Sequence, residues 1–330
     1  MKDEHPAGIP RVTVELAAAA ATGAPAAAVE LAPLVELLRS GNIVVLSGAG
    51  LSTESGIPDY RGPEGKRRVT PMMYREFVDS AANRQRYWAR SFVGWRRFVA
   101  AEPNIGHLAV TAIQQGGLLR SIITQNVDGL HQRAGSREVL ELHGSLDRVL
   151  CLQCGDRSSR VELDARMRAV NPDFVATAHE IRPDGDVVLD DEEVRSFQLV
   201  RCLVCGSDLL KPDVIFFGES VPKPLVTRCF AEVERSGGLL VLGSSLQVMS
   251  GYRFVLRASE LGLPVAIVTR GSTRGDEQAT IRLDAPLGET LERVVGELVD
   301  AADRGDGVRG VRGSHVAKAP SPPDRRQTRE

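Results

Sequence analysis

A doubly wound parallel α/β sheet with a second, smaller domain is the fold class the sequence predicts, and three observations predict it. The runs 43–46, 121–124, 239–242 and 265–268 are short, uncharged and rich in aliphatic and β-branched residues, as strands covered by helices on both faces must be. Three of them end in polar, glycine- or amide-rich segments: Ser47-Gly48-Ala49-Gly50, Gln125-Asn126-Val127-Asp128 and Gly243-Ser244-Ser245. Ligands of such sheets sit at the carboxyl ends of the strands, so these segments are expected to converge on one crevice. Two matched Cys-x-x-Cys pairs, Cys151/Cys154 and Cys202/Cys205, interrupt the pattern and call for a separate small unit.

Taken in order, residues 1–29 hold an alanine run and little else, and are expected to form a flexible N-terminal segment. Leu34, Leu37 and Leu38 share one helical face, and Gly41 closes that helix. Between residues 64 and 105, Tyr74, Phe77, Tyr87, Trp88, Phe92, Trp95 and Phe98 recur at mostly three- and four-residue steps. That spacing predicts a helical module whose aromatic stripe packs inward. Val139-Leu140-Glu141-Leu142 is β-rich and leads into His143, while residues 171–193 are a long polar excursion between the cysteine pairs. The expected division is a Rossmann-like domain from 30–63, 106–150 and 207–302. Its small partner is built from the helical module 64–105 and a zinc module 151–206. The Gly-, Arg- and Pro-rich tail 303–330 reads as disordered.

The chain has 330 residues, 42% of them hydrophobic, which supports a sizeable core. Its 41 basic and 43 acidic side chains give a formal charge of −2. Such a balance offers no general attraction to nucleic acid or to an acidic membrane surface. Nothing approaches the roughly eighteen continuous apolar residues of a membrane span. Asp3, Glu4 and Glu15 interrupt the first segment, contrary to a signal peptide or a mitochondrial presequence, so a cytoplasmic location is expected.

Two Cys-x-x-Cys knuckles, each followed by a glycine (Gly155 and Gly206) that relieves the tight turn, suit a tetrahedral metal. A redox pair and a disulfide are the alternatives, and two matched pairs in a chain with only five cysteines favour zinc. Four sulfur ligands leave no position for a catalytic water, so the ion would be structural. Cys229, in a helical stretch, reads as a small buried apolar residue.

The glycine loop is less specific by itself. A dehydrogenase fingerprint needs glycine at position 53, where this chain has threonine, and a second-strand acid some twenty residues on, which is missing. There is no Walker-type lysine either. Gly48 and Gly50 can still bring backbone amides to a pyrophosphate, so nucleotide binding survives while hydride transfer loses support. The extension Asp59-Tyr60-Arg61 adds a phosphate-capable guanidinium and an acid, which argues against a plain tight turn.

The run from Gly48 to Gly62, Thr124-Gln125-Asn126-Val127-Asp128-Gly129-Leu130-His131, Leu142-His143-Gly144, the knuckles, Pro212-Asp213-Val214-Ile215-Phe216-Phe217-Gly218-Glu219 and Gly243-Ser244-Ser245 together resemble the sirtuins, in family order over roughly residues 30 to 300. The segments 84–90 and 246–254 resemble the branch that contains the mitochondrial lipoamidase and ADP-ribosyltransferase sirtuin, a class II sirtuin.

The resemblance implies an NAD-dependent protein-lysine deacylase, most simply a deacetylase. In such enzymes the acyl oxygen of a modified lysine attacks the ribose carbon bearing nicotinamide, and the products are free lysine, nicotinamide and O-acyl-ADP-ribose. His143 is then the general base for a ribose hydroxyl, a role that suits an imidazole. Asn126 and Gln125 would orient the nicotinamide ribose and a water, and Asp128 would accept from the carboxamide. Arg61 and the Gly48–Gly50 amides would hold the phosphates, with Gly243, Ser244 and Ser245 over the pyrophosphate and adenosine. Ala49, Ser52, Thr53, Asp59, Tyr60, Val127, Thr269 and Leu287 complete the implied NAD pocket. Val214, Phe217, Gly218, Glu219 and Val248 would contact an extended acyl-lysine peptide inserted between the domains. NAD is thus the implied co-substrate, one zinc the implied structural ion, and acylated-lysine proteins the implied partners, with neither nucleic acid nor membrane. His107 and His131 are read as structural.

Three departures bear on specificity. Tyr60 replaces a phenylalanine common in the family, Thr269-Arg270 stands where an asparagine usually meets the adenosine ribose, and Met249-Ser250 replaces a proline-containing peptide loop. Some succinyl-preferring sirtuins carry a tyrosine and an arginine three residues apart in the helical module, the spacing of Tyr87 and Arg90 here. The surrounding residues follow the lipoamidase-like branch instead, so Arg90 is expected to be no ligand. Mono-ADP-ribosyl transfer, or removal of lipoyl or longer acyl groups, is the alternative at the same site. A zinc-stabilised NAD sensor without turnover is the alternative of another class, and it leaves His143 and Asn126 without a purpose.

Overall fold

The computed structural model describes residues 30–60, 71–174, 176, 187 and 189–303. Helix α1 (Ala32–Arg39) leads into β1 (Ile43–Ser47), which a 3-10 turn over Ala49–Ser55 follows. The helical module consists of α2 (Tyr74–Asp79) and α3 (Ala81–Val99), the latter capped by the Ser80 hydroxyl, which accepts from the Asn83 amide. Next come α4 (Ile105–Gln115), β2 (Leu119–Thr124), α5 (Leu130–Arg133) and β3 (Val139–Glu141). The knuckle region holds β4 (Gly144–Cys151), β5 (Arg157–Ser159), α6 (Arg160–Val170), α7 (Asp191–Ser196) and β6 (Leu210–Val214). The chain then runs through α8 (Lys223–Glu234), β7 (Gly238–Leu242), α9 (Met249–Glu260), β8 (Val265–Val268), β9 (Ile281–Leu283) and α10 (Leu287–Asp303).

All four uncharged runs are strands of one six-stranded parallel sheet in the order β3-β2-β1-β7-β8-β9. Numbered within the sheet alone this is 3-2-1-4-5-6, the doubly wound order of dinucleotide-binding domains. Strand alternation explains the uninterrupted apolar sequence. Ile43 and Val45 of β1 pack with α1, α4 and α10 on one face, while Val44 and Leu46 pack with α8 and α9 on the other. All four are fully buried, each worth about 1.5–3 kcal/mol relative to exposure. Cys229 of α8 is buried in the second of these cores, as a small apolar residue. Among the described residues, no helix is long and apolar enough to cross a membrane.

A second sheet, antiparallel and three-stranded in the order β5-β4-β6, has its own core. There Phe77, Tyr87, Trp88, Phe92, Trp95 and Phe98 meet Leu146, Val149, Leu163, Met167, Leu210 and Phe216. The guanidinium of Arg160, 1% exposed, lies 5.4 Å from the Trp88 ring and 4.6 Å from that of Trp95. It pairs with Asp164 at 3.5 Å, the compensation a buried charge requires. The helical and knuckle insertions therefore share one core. This sheet reaches past residues 151–206 at both ends, to Gly144 and Val214, because the register pairs Gly144 with Val214 and Cys151 with Leu210. Pro212 is tolerated in β6 because that strand lies at the sheet edge.

Candidate active site

The sheet order reverses between β1 and β7, where two adjacent strands send their connections in opposite directions. At such a point the loops part and leave a crevice. Here the Gly48–Gly50 segment packs directly on Gly243 and Ser244. A Cβ at Gly48 would stand 2.8 Å from Ser244 Cβ, and one at Gly243, whose φ is +63°, would stand 2.4 Å from the Leu51 nitrogen. Only glycine allows that approach.

Around this point lies a cavity of about 1240 Å³, bounded by the ends of β1, β2 and β7, the segment after β6, and the start of α9. Every described residue that the sequence assigned to NAD, to the base or to the peptide lines it, from Gly48 to Leu287. Arg61 lies outside the described residues. The sequence reading gave no role to Ile57, Met72, Leu146 and Phe216 and set Ser250 only in the peptide loop; all five also line the cavity. Ile57 and Phe216 lie inside the runs that carry the resemblance and Ser250 in a changed peptide loop, whereas Met72 and Leu146 carried no signal.

One assigned role needs correction. The Gly48 amide donates to the Leu242 carbonyl at 2.9 Å and the Gly50 amide to the Gly243 carbonyl at 2.8 Å. Neither is available to a phosphate. These glycines serve close packing of the two loops, and of the three amides 48–50 that of Ala49, first in the 3-10 turn, is the one not given to a carbonyl of β7 or the loop after it.

His143 stands between β3 and β4, so both sheets fix its backbone; its carbonyl accepts from the Ile215 amide at 2.8 Å. Its Nδ1 lies 2.9 Å from the Gln125 carbonyl and its Nε2 lies 2.8 Å from Ser250 Oγ. A carbonyl only accepts, so Nδ1 carries the proton and Nε2 presents a lone pair to the serine hydroxyl. Burial pushes the imidazole below its ordinary titration range, against the opposing pull of the Gln125 carbonyl. The ring is a neutral base at neutral pH.

The amide-rich loop after β2 is internally tied. Asn126 Nδ2 donates to the Gly48 carbonyl at 3.1 Å and to Ser52 Oγ at 3.0 Å, and Ser52 donates to Asp128 Oδ2 at 2.7 Å. Gln125 Nε2 donates to Ser244 Oγ at 2.8 Å, tying β2 to β7 across the end of β1. Burial pushes the Asp128 carboxyl up, while bonds from the Leu130 amide and Ser52 pull it down. Asn126 and Gln125 keep their side-chain carbonyl oxygens as acceptors, and Asp128 is an acceptor already sharing both oxygens.

On the peptide side, the Glu219 carboxylate accepts from Lys211 Nζ at 3.1 Å and from the Phe216 amide at 2.9 Å. Lys211 is 2% exposed and also lies 4.8 Å from the Phe216 ring. The Glu219 side chain therefore shapes the turn after β6. Phe217 meets Tyr60 edge-on at 5.9 Å. The end of the cavity beside the core of the three-stranded sheet is apolar, lined by Ile57, Met72, Tyr87, Val127, Leu146 and Phe216, and Arg90 is not among its lining residues.

His131 and His107 lie below the crevice, 1% and 0% exposed. His131 Nε2 is 2.8 Å from Ser47 Oγ, whose hydroxyl reaches Thr124 Oγ1 at 2.9 Å. Burial pushes the imidazoles down, to about 3 for His131 and about 4 for His107. Neither lines the cavity.

The four knuckle sulfurs lie within 4.8 Å of one another, with Cys151–Cys205 at 3.6 Å and Cys154–Cys202 at 3.8 Å. A tetrahedron with zinc–sulfur bonds of about 2.3 Å has edges of about 3.8 Å, so the set fits zinc. The two knuckles repeat one another. The Gly155 amide donates to the Cys151 carbonyl at 2.9 Å and the Gly206 amide to that of Cys202 at 3.0 Å. Both glycines have positive φ, 77° and 72°.

Comparison with known proteins agrees with this geometry. The model of the Sir2 family matches residues 48–250. Over 275 residues the chain is 55% identical to the "NAD-dependent protein deacetylase 1" of Streptomyces coelicolor, covering 83% of this chain and 92% of that protein. It is 49% identical over 256 residues to the human "NAD-dependent protein lipoamidase sirtuin-4, mitochondrial", covering 76% and 81% respectively. A solved structure described as "Sir2-p53 peptide-NAD+" superposes with a TM-score of 0.61 at 27% identity, covering 81% of this chain and 98% of the other.

Proposed function

This chain belongs to the Sir2 family, and from that premise we propose that it is an NAD-dependent protein-lysine deacylase, acting first on acetyl-lysine, that transfers the acyl group to ADP-ribose and releases nicotinamide. The observation that carries the reading is His143, held neutral with its proton on Nδ1 and Nε2 accepting at the wall of the cavity. A base in that state takes the ribose hydroxyl proton without first losing one of its own. Asn126, Gln125 and Asp128 hold the ribose and carboxamide side of NAD, the Ala49 amide faces its phosphates, and Gly243, Ser244 and Ser245 cover the adenosine half; Arg61, outside the described residues, is assigned to the phosphates from the sequence alone. Val214, Phe217, Gly218 and Val248 border the peptide, whose side chain enters between the parallel sheet and the small domain. We treat these two sheets with their cores as the two domains. The zinc set closes the far ends of β4 and β6 and takes no part in the chemistry. The cytoplasm is the compartment this reading assigns, since it keeps such thiolates reduced.

A second substrate class, lipoyl and longer apolar acyl groups, is favoured by the apolar end of the cavity at Ile57, Met72, Leu146 and Phe216. The test is a panel of acetyl-, lipoyl-, octanoyl- and succinyl-lysine peptides incubated with and without NAD and read by mass spectrometry. NAD-dependent deacylation of acetyl or lipoyl peptide is expected. Deacylation of none, by zinc-replete folded protein, would contradict the proposal.

A further inference from the structure

The sequence sets Ser250 in a loop that borders the peptide, yet in the structure it is one of two groups that contact the base. It is the second residue of α9 and half-buried, and its Oγ lies 2.8 Å from His143 Nε2 across 107 residues of sequence. An imidazole nitrogen without a proton has one in-plane lone pair. The Gln125 carbonyl claims the Nδ1 proton, so the lone pair on Nε2 has the Ser250 hydroxyl as its donor.

The serine is held where it can do this. Leu246, buried to 1% exposure, adopts a φ of +56°, which turns the chain from the end of β7 into the start of α9. One residue past the serine, a Cβ on Gly251 would stand 2.6 Å from Gln125 Oε1. The start of α9 thus packs against Gln125, the residue whose carbonyl pins the other ring nitrogen. Both partners of His143 are parts of one contact.

We propose that Ser250 is a positioning residue of the deacylation reaction: its hydroxyl and the Gln125 carbonyl together hold His143 in the Nδ1-protonated tautomer, with Nε2 open to a proton once the reacting hydroxyl takes the place of the serine. The inference rests on the role given to His143 above. A hydroxyl held as donor to Nε2 bonds the neutral ring and must rotate to accept from the protonated one, so on this proposal its removal favours protonation. The charged groups lining the same cavity are Glu54, Asp59, Asp128, Glu219 and Arg270 on the strand-end loops and Lys223 and Arg253 on α8 and α9. None of the seven hydrogen-bonds the imidazole, whose partners are Gln125 and Ser250.

The test compares the full-length protein with Ser250→Ala and Ser250→Thr by long-range nitrogen–proton correlation of the imidazoles, with His143→Gln to identify the His143 signals, and by the pH dependence of kcat/KM. The wild-type ring is expected as the Nδ1–H tautomer. Ser250→Ala raises its titration midpoint by roughly half to one pH unit, a three- to tenfold gain in proton affinity. The acid limb of kcat/KM moves by the same amount, and Ser250→Thr restores both. A helix start that was merely loosened would lower Tm and leave the midpoint in place. An Nε2–H tautomer in the wild type, an unmoved midpoint in Ser250→Ala, or a threonine variant that behaves like alanine would overturn the proposal. The ring measurement needs no turnover. Failure of every variant to deacylate would count against the function proposed above and leave the tautomer result standing.

Discussion

Replacing His143 by alanine deletes the lone pair at Nε2 and leaves the amide network around Asn126, Ser52 and Asp128 untouched. The expected outcome is a fall in deacylation of roughly two to four orders of magnitude, the span for a lost general base, with NAD affinity nearly unchanged by calorimetry. Comparable turnover would remove His143 from the mechanism. His107 and His131 behave differently. Their folded values near 4 and 3 lie below the ordinary histidine value of about 6.5, so the unfolded chain binds more protons between those limits. Their contribution to stability is complete above about pH 6.5 and is lost as the pH falls toward 4, at up to about 1.4 kcal/mol per pH unit for each ring. In the folded protein at pH 5 both ring carbon-bound proton signals should remain at their neutral positions; titration near 6.5 would contradict the burial argument. At this scale sequence reading went far, because the cavity residues sit in contiguous motifs whose chemistry is local. It missed the contact of Ser250 with His143 and misassigned the Gly48 and Gly50 amides for one reason. A hydrogen bond spanning 107 residues, or an amide occupied by a carbonyl from β7, is a product of packing that no local pattern encodes.

The strands β4 and β6 join the zinc set to the site. One runs from the residue after His143 to the ligand Cys151, and the other from Leu210, beyond the second knuckle, to Val214 on the cavity wall. Gly144, with φ +81°, opens this pair so closely that a Cβ would lie 2.0 Å from the Asp213 carbonyl oxygen. Gly144→Ala is expected to cost more than about 2 kcal/mol, from left-handed strain and a backbone clash together. Gly262→Ala, also at positive φ but with nothing within 4 Å, should cost only about 1 kcal/mol. Equal shifts in denaturant midpoint would contradict this account. Metal analysis should give one zinc per chain, and a strong chelator should abolish activity together with the near-ultraviolet signal of Trp88 and Trp95, as the small core loses its clamp. Full activity in zinc-free protein would exclude the clamp. Of the elements, the four uncharged strands were legible because a doubly covered strand needs an unbroken apolar run. The three-residue strands β5 and β9 were not, being too short to show a period. The pairing of β4 with β6 was hidden as well, since alternation shows that a strand has a buried face without showing which sheet receives it.

At the scale of the whole molecule, the proposed function follows from two sheets meeting along one cavity, with the loops assigned to NAD on the larger and the apolar end assigned to the acyl chain on the smaller. Tyr87 lines that end and Arg90 does not, so the tyrosine–arginine spacing places no cation at the cavity wall. Arg90→Met should therefore change deacetylation little, and succinyl-lysine should not be the best substrate. A tenfold preference for succinyl over acetyl peptide that Arg90→Met abolished, worth about 1.4 kcal/mol of discrimination, would return Arg90 to the site. The central claim is that acyl removal and NAD cleavage are one reaction. The direct measurement is the stoichiometry of products from an acetyl-lysine peptide and limiting NAD, quantified by mass spectrometry. The account predicts one nicotinamide and one O-acetyl-ADP-ribose for each lysine freed, with none of the three formed by His143→Ala at a comparable rate. Free acetate released without consumption of NAD, or NAD hydrolysed while the peptide stays acetylated, would contradict it.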